Sequence, residues 1–178
     1  ARIREVSIGL EEYSLYLDRE LGDVKFFDAG DIPLPFGNPE KSLKEIKEWV
    51  RKLLADGKIP VGMGGEHLVS LPVMEAVYEK YSDLAIIHFD AHTDLRTDYE
   101  GEPYSHATPI RKIADQIGPK NVYSFGIRSG LKEEMEWAKE NGMHISLFEV
   151  LEPLKKVLPT LAGRNVYVTI DIDVLDPA

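Results

Sequence analysis

Cysteine is absent from all 178 residues. Disulfide staples and thiolate-bound zinc are therefore excluded, and the composition fits a reducing, cytoplasmic setting. Positive charge is scarce as well: 21 basic side chains face 31 acidic ones, for a net charge of −10. A chain of that balance lacks the basic face that nucleic acid requires. Long apolar runs are also missing, and none approaches the ~20 residues of a membrane span. What remains is a small-molecule chemistry carried by oxygen and nitrogen ligands.

The chain has enough apolar content, 43%, to bury one α/β core. Strand-like and helix-like patterns alternate along it, which predicts a three-layer αβα arrangement with helices on both faces of a parallel sheet. Val24–Phe27 and Lys58–Met63 read as strands. Ser42 reads as the cap of a helix reaching about Asp56, with Leu43, Ile46, Trp49, Val50, Leu53 and Leu54 on one face. A second helix is expected over Leu71–Tyr81. Strands are expected over Leu84–Phe89, Val122–Gly126, His144–Ser146 and Val166–Ile170, and a helix over Lys132–Asn141. The stretch Arg96–Thr108 is polar and irregular, as a loop over a site would be.

Three motifs sit where apolar strands end. In LAIIHFDAHTD, Asp90, His92 and Asp94 occupy alternate positions. Were the chain to stay extended there, all three would point to one face. In TIDIDVLDPA, Asp171 and Asp173 repeat the alternation, and His67 follows a glycine pair in GMGGEHLVS. Asp-x-Asp after a strand is common, and GGEH alone is an ordinary strand-to-helix turn. Together, however, the motifs deliver four aspartates and two histidines to the carboxyl ends of strands, where open parallel sheets gather ligands. Such hard ligands suit Mn, Mg, Fe(II) or Co(II). Carboxylates this close would repel by about 4 kcal/mol per pair at an effective dielectric of ~20. Two cations roughly 3.5–4 Å apart would cancel that charge.

GMGGEHLVSLP, HFDAHTDL and TIDIDVLDPA, with YSHATPI and GIRSG between the last two, resemble the motifs of the ureohydrolase family in the family's order. These are the manganese enzymes that include arginase and agmatinase. The resemblance implies the arginase-like fold and two Mn²⁺ ions. His67 and Asp94 would bind the first ion, His92 and Asp173 the second, and Asp90 and Asp171 would bridge them. Asp94 and His106 would be catalytic, the first relaying a proton to the departing amine and the second exchanging protons with solvent. Glu66 stands where many members carry aspartate. The loop GEPYSHATP lacks the Asn-x-His pattern of arginases and is more similar to that of agmatinases, which implies hydrolysis of agmatine to putrescine and urea. Arginase, guanidinobutyrase and formiminoglutamase activities are alternatives within the family. Outside it stand a metallophosphoesterase, whose Asn-His pair is missing here, a one-zinc deacetylase of related fold, and a non-catalytic metal-binding module.

The resemblance further implies a homo-oligomer, trimer or hexamer, with a small guanidino substrate, and no nucleic-acid or membrane partner. Residues 1–178 read as one domain cut at both ends, because relatives continue past the third motif with more sheet and a glutamate that holds the guanidinium. His88 reads as a hydrogen-bonded core histidine, His144 is given no role, and Arg128 is expected in a structural ion pair. Trp49 and Trp137 read as core or interface residues.

Overall fold

A computed structural model describes residues 2–175. The backbone divides into two compact units, Ala1–Pro33 and Leu34–Ala178. In the first unit, helix α1 (Arg2–Ser7) precedes a two-residue antiparallel ribbon of β1 (Tyr13–Ser14) and β2 (Arg19–Glu20). The Arg4 guanidinium donates to both oxygens of Asp28, at 2.5 and 2.9 Å, and to Asp31 at 2.9 Å. Val24–Phe27, expected as a strand, joins no ladder in this unit.

The second unit opens with α2 (Pro39–Ala55). It starts nearly a turn before the expected cap at Ser42. Asn38 accepts from the Lys41 backbone N–H at 2.9 Å, and Pro39 takes the first helical position, where a missing N–H costs nothing. Ser42 instead turns its hydroxyl back to the Asn38 carbonyl. Ile46, Val50 and Leu54, four residues apart, form the buried stripe, whereas Trp49 lies partly exposed. Helix α3 (Ser70–Lys80) is apolar nearly all round and buried accordingly, from Leu71 to Val77 on every face but that of Glu75.

The sheet is built of β3 (Ala85–Phe89), β4 (Val122–Ile127), β5 (His144–Leu147) and β6 (Val166–Ile170), in the order β5-β4-β3-β6 and parallel throughout. Helices α4 (Pro109–Ile117), α5 (Lys132–Glu140) and α6 (Leu151–Val157) make the crossovers. On one face Ala85, Ile87, Tyr123 and Phe125 pack with Leu161, Val150, Leu154 and Val157 from the α6 side. On the opposite face Thr169 meets Ser70 of α3. Helices thus cover both faces, as the alternating pattern predicts.

Chain order runs outward from β3 to β4 to β5, then returns to place β6 on the other side of β3. This reversal opens a crevice beyond the carboxyl ends of β3 and β6, the standard ligand position of such sheets. Lys58–Met63, the other expected strand, finds no ladder partner among the described residues and leaves Ile59, Val61 and Met63 exposed. Alternation alone makes a segment fit for a sheet; a neighbouring edge makes it a strand. Among the described residues, no helix is long and apolar enough to cross a membrane.

Candidate metal centre

The crevice is lined by all three motifs. Just beyond β3, the Asp90 N–H donates to the Phe125 carbonyl (3.2 Å); just beyond β6, the Asp171 N–H donates to the Phe89 carbonyl (2.8 Å). The two loops are therefore extensions of neighbouring strands in register, Phe89 opposite Ile170. His67 arrives from the helical turn His67–Val69 that leads into α3.

The three alternate residues of the main motif do not share one face. The ladder ends at Phe89, and Asp94 adopts a positive φ of 53°. Asp90 and Asp94 consequently turn inward and are buried, whereas the His92 side chain remains 54% exposed. Among the described residues two donor clusters result, and Asp90 belongs to both. In the inner cluster, His67, His88, Asp90 and Asp94 bring ligand atoms within 4.8 Å of one another; in the outer, Asp90, His92 and Asp173 do the same. Asp171 approaches the inner cluster, its Oδ2 lying 3.4 Å from His67 Nδ1. His92 Nδ1 is 2.9 Å from Asp173 Oδ2 and 3.5 Å from Asp90 Oδ1.

Hydrogen bonds from behind orient these groups. Thr169 Oγ1, itself 3.0 Å from Ser70 Oγ, lies 3.0 Å from His67 Nε2 and turns Nδ1 of that ring toward the acids. His88 is wholly buried between Ser124 Oγ and Asp90 Oδ2, 2.9 Å from each. The His92 N–H donates to Asp90 Oδ1 (2.6 Å), and the Ala91 N–H to Asp173 Oδ1 (3.1 Å). His88 is thus the hydrogen-bonded core residue expected, but it also touches a cluster acid. Thr169, Ser70 and Ser124 were not singled out by their sequence. A signal was present: His88 and Thr169 stand two residues before Asp90 and Asp171, hence on the same sheet face, and are partners in register.

The inner cluster fits a hard divalent cation. His67 Nδ1 is buried and makes no directed hydrogen bond, yet carboxylate oxygens of Asp90 and Asp94 lie 2.8 and 2.9 Å away. A buried polar atom left in this way calls for a partner, and imidazole with several carboxylates is the donor set of Mn²⁺-type ions. The electrostatics of the protein groups agree. Burial works to lower the His67 pKa, but the Asp90 and Asp94 carboxylates outweigh it and raise it well above the imidazole range. Burial works to raise Asp90, yet the adjoining His67 and His88 imidazoles hold it far below the ordinary carboxylate range. For Asp94 burial prevails and the pKa rises. One cluster therefore pulls two acids in opposite directions, a pattern common where charge is to be handled.

His106 stands apart from both clusters. Its Nδ1 lies 3.7 Å from Glu66 Oε1, and its ring leans on Tyr99 at 5.2 Å between centroids. It sits near the end of the irregular loop, whose limbs are joined by a bond from the Arg96 N–H to the Ala107 carbonyl (3.0 Å). His144 lies remote from the centre, stacked on Tyr123. Trp137 lies under the Arg111 guanidinium, 4.0 Å from the ring centroid.

Comparison with known proteins agrees with this geometry. The chain is 79% identical to the agmatinase of Bacillus subtilis (strain 168) over its whole length, covering 61% of that protein. It is 38% identical to the N(1)-aminopropylagmatine ureohydrolase of Thermococcus kodakarensis, over 98% of the chain and 59% of the relative. The solved agmatine ureohydrolase of Thermoplasma volcanium superposes with a TM-score of 0.84 at 29% identity, over 98% of the chain and 60% of that structure. The chain thus spans about three fifths of the length of these relatives. The family model described as Arginase family matches residues 1–178, and with its motifs gathered at one strand-end crevice the chain belongs to the arginase family.

Proposed function

We propose that this protein hydrolyses agmatine to putrescine and urea at a centre of two Mn²⁺ ions. The observation that supports it most is the sharing of Asp90 by two donor clusters, since one carboxylate common to both is what a pair of adjacent cations requires. The relative named agmatinase at 79% identity supports the substrate, as does the loop GEPYSHATP, which has no Asn-x-His to receive an amino acid's carboxylate.

His67 and Asp94 would hold one ion and His92 and Asp173 the other, with Asp90 and Asp171 between them. Such ions, when bound, supply Lewis acidity and bring the pKa of water toward neutrality. The chain's own groups account for the rest. Asp94, a buried carboxylate whose pKa burial raises, accepts the proton that water gives up on adding to the guanidinium carbon. It returns that proton to the amine nitrogen as the C–N bond breaks. His106, exposed on its loop beside Glu66, exchanges protons with solvent. His88 and Thr169 hold Asp90 and His67 in the required orientation. With this activity we also propose a cytoplasmic homo-oligomer, trimer or hexamer, to be tested by sedimentation of the intact protein.

The deciding assay measures urea from the intact protein with Mn²⁺ and a panel of agmatine, N(1)-aminopropylagmatine, guanidinobutyrate and arginine. Agmatine should be cleaved at least about tenfold faster than arginine, roughly 1.4 kcal/mol in barrier. A preference for arginine overturns the assignment.

A further inference from the structure

The proposed chemistry leaves unused the segment Gly126–Gly130, sequence GIRSG, which forms the carboxyl end of β4 and the turn beyond it. Its position is unusual because it touches both metal-bearing loops at once. The β4–β5 ladder shifts register between Phe125 and Ile127, and Gly126 at this irregularity has φ +86°. A Cβ at Gly126 would stand 2.7 Å from Val174 Cγ2 and 3.3 Å from the Asp90 carbonyl oxygen. Neither the backbone angle nor the space admits a larger residue. At the other end, a Cβ on Gly130 would meet Thr93 Cγ2 at 2.7 Å. The segment is wedged between the loops of Asp90–Asp94 and Asp171–Asp173.

Arg128 makes the connection. Its backbone N–H and that of Ser129 both donate to the Ala91 carbonyl, at 2.8 and 2.9 Å, gripping the Ala91–His92 peptide. Ser129 also forms an isolated parallel bridge with His92. The guanidinium reaches the other loop, where Nη1 donates to the Val174 carbonyl (3.2 Å) and Nη2 to those of Asp173 and Leu175. These carbonyls close the helical turn Ile172–Val174. A helix end of this kind gathers unsatisfied acceptors and partial negative charge, which a planar multi-donor cation satisfies. Among the described residues Arg128 forms no ion pair, contrary to the sequence expectation; its partners are backbone.

We infer that Arg128 is a positioning residue that joins the loops of Ala91 and Asp173, and so sets cation affinity at the outer cluster of Asp90, His92 and Asp173. The inference rests on the two-cation reading. It is selective because the inner cluster has supports of its own: Thr169 holds His67, and the Asp94 carbonyl accepts from the Arg111 N–H at 3.1 Å. The outer cluster is the exposed one, and Asp173 depends on Ala91, Asp171 and the Arg128 clamp.

The test is Mn²⁺ titration of the intact, metal-stripped protein by calorimetry, with electron paramagnetic resonance to detect the coupled ion pair. D173N identifies which binding step belongs to the outer cluster. In R128M that step should weaken at least about tenfold, while the other stays within about twofold, the size of loss usual for groups supporting a metal ligand. The coupled-pair signal should fade at Mn²⁺ levels that saturate the wild type. R128K, which keeps one donating cation, should fall between the two proteins. Unchanged steps, or equal weakening of both, overturn the inference. A wild type that binds fewer than two ions defeats the two-cation reading instead. Should R128M fail to fold, R128K decides: selective weakening of about threefold or more supports the clamp, and less overturns it.

Discussion

The inner and outer clusters share a carboxylate yet are built in opposite ways. His67, Asp90 and Asp94 are each less than a tenth exposed and are held from behind by Thr169 and His88. His92 and Asp173 have side chains 54% and 40% exposed, with their main supports in backbone bonds. Burying like charges is costly without a positive partner, so the inner cluster ties its charge balance to the fold, through His67 in the protein itself. The outer cluster keeps contact with water and demands little of the core. The difference shows where each half is vulnerable: the inner through packing and charge, the outer through loop placement.

The severest break comes at the shared residue. On the two-cation proposal, D90N should lose both ions and at least about 10³-fold in turnover, since such catalysis depends on the pair. Retention of one tightly bound ion in D90N, read by elemental analysis, would show that the clusters are independent. A sharper contrast lies in a pair of variants measured without metal. H67A removes the partner of two buried carboxylates and should cost about 2 kcal/mol or more of stability. H92A, whose ring is largely in water, should cost less than about 0.5 kcal/mol. Equal losses in thermal melting would abolish the distinction between inner and outer.

A comparably small effect is expected at the exposed charges joining α2 to α3. Arg51 donates to both oxygens of Glu79 at 2.7 Å, and Lys47 lies 3.0 Å from the same carboxylate. The Arg51 bonds, with help from Lys47, lower the Glu79 pKa from 4.5 to about 2. A lowered pKa means that the stabilisation is present above pH 4.5 and is lost as pH falls through about 2. Because Glu79 is partly open to solvent, that contribution is only about 0.5 kcal/mol. E79Q should therefore melt slightly lower than wild type at pH 7 and converge with it near pH 2. A difference that grows toward acid would contradict the sign.

Much of this architecture is legible from the residues alone, for physical reasons that differ by element. The strand Val166–Ile170 is found where expected because a run of β-branched residues and one tyrosine, bounded by polar residues, has few other homes. Helix α2 starts before the Ser42 expected to cap it because Asn38-Pro39, a cap followed by a first-turn proline, outweighs the serine four residues on. Val24–Phe27 and Lys58–Met63 carry strand-like residues but no partner among the described ones, and pairing is a property of two segments. At the site, the residue types disclose a metal chemistry. Their division into two clusters is not disclosed, because that turns on the backbone at Asp94, which leaves the extended region that the spacing suggests. Arg128 was hidden for a related reason: nothing in GIRSG says that a guanidinium will bind carbonyls 45 residues away.

The left-handed backbone at Asp94 sets local robustness against chemistry. An aspartate held at φ 53° bears a conformational cost of about 1 kcal/mol that glycine would not. A descendant without the proposed role for this carboxylate could replace it, relieving at once a costly rotation and a buried acid. Position 94 is thus an evolutionary one-way door. On the proposed reading, drift through it would relax the backbone while discarding a cation ligand and proton carrier, and a glycine found there in a distant cousin would mark a protein without that proposed chemistry.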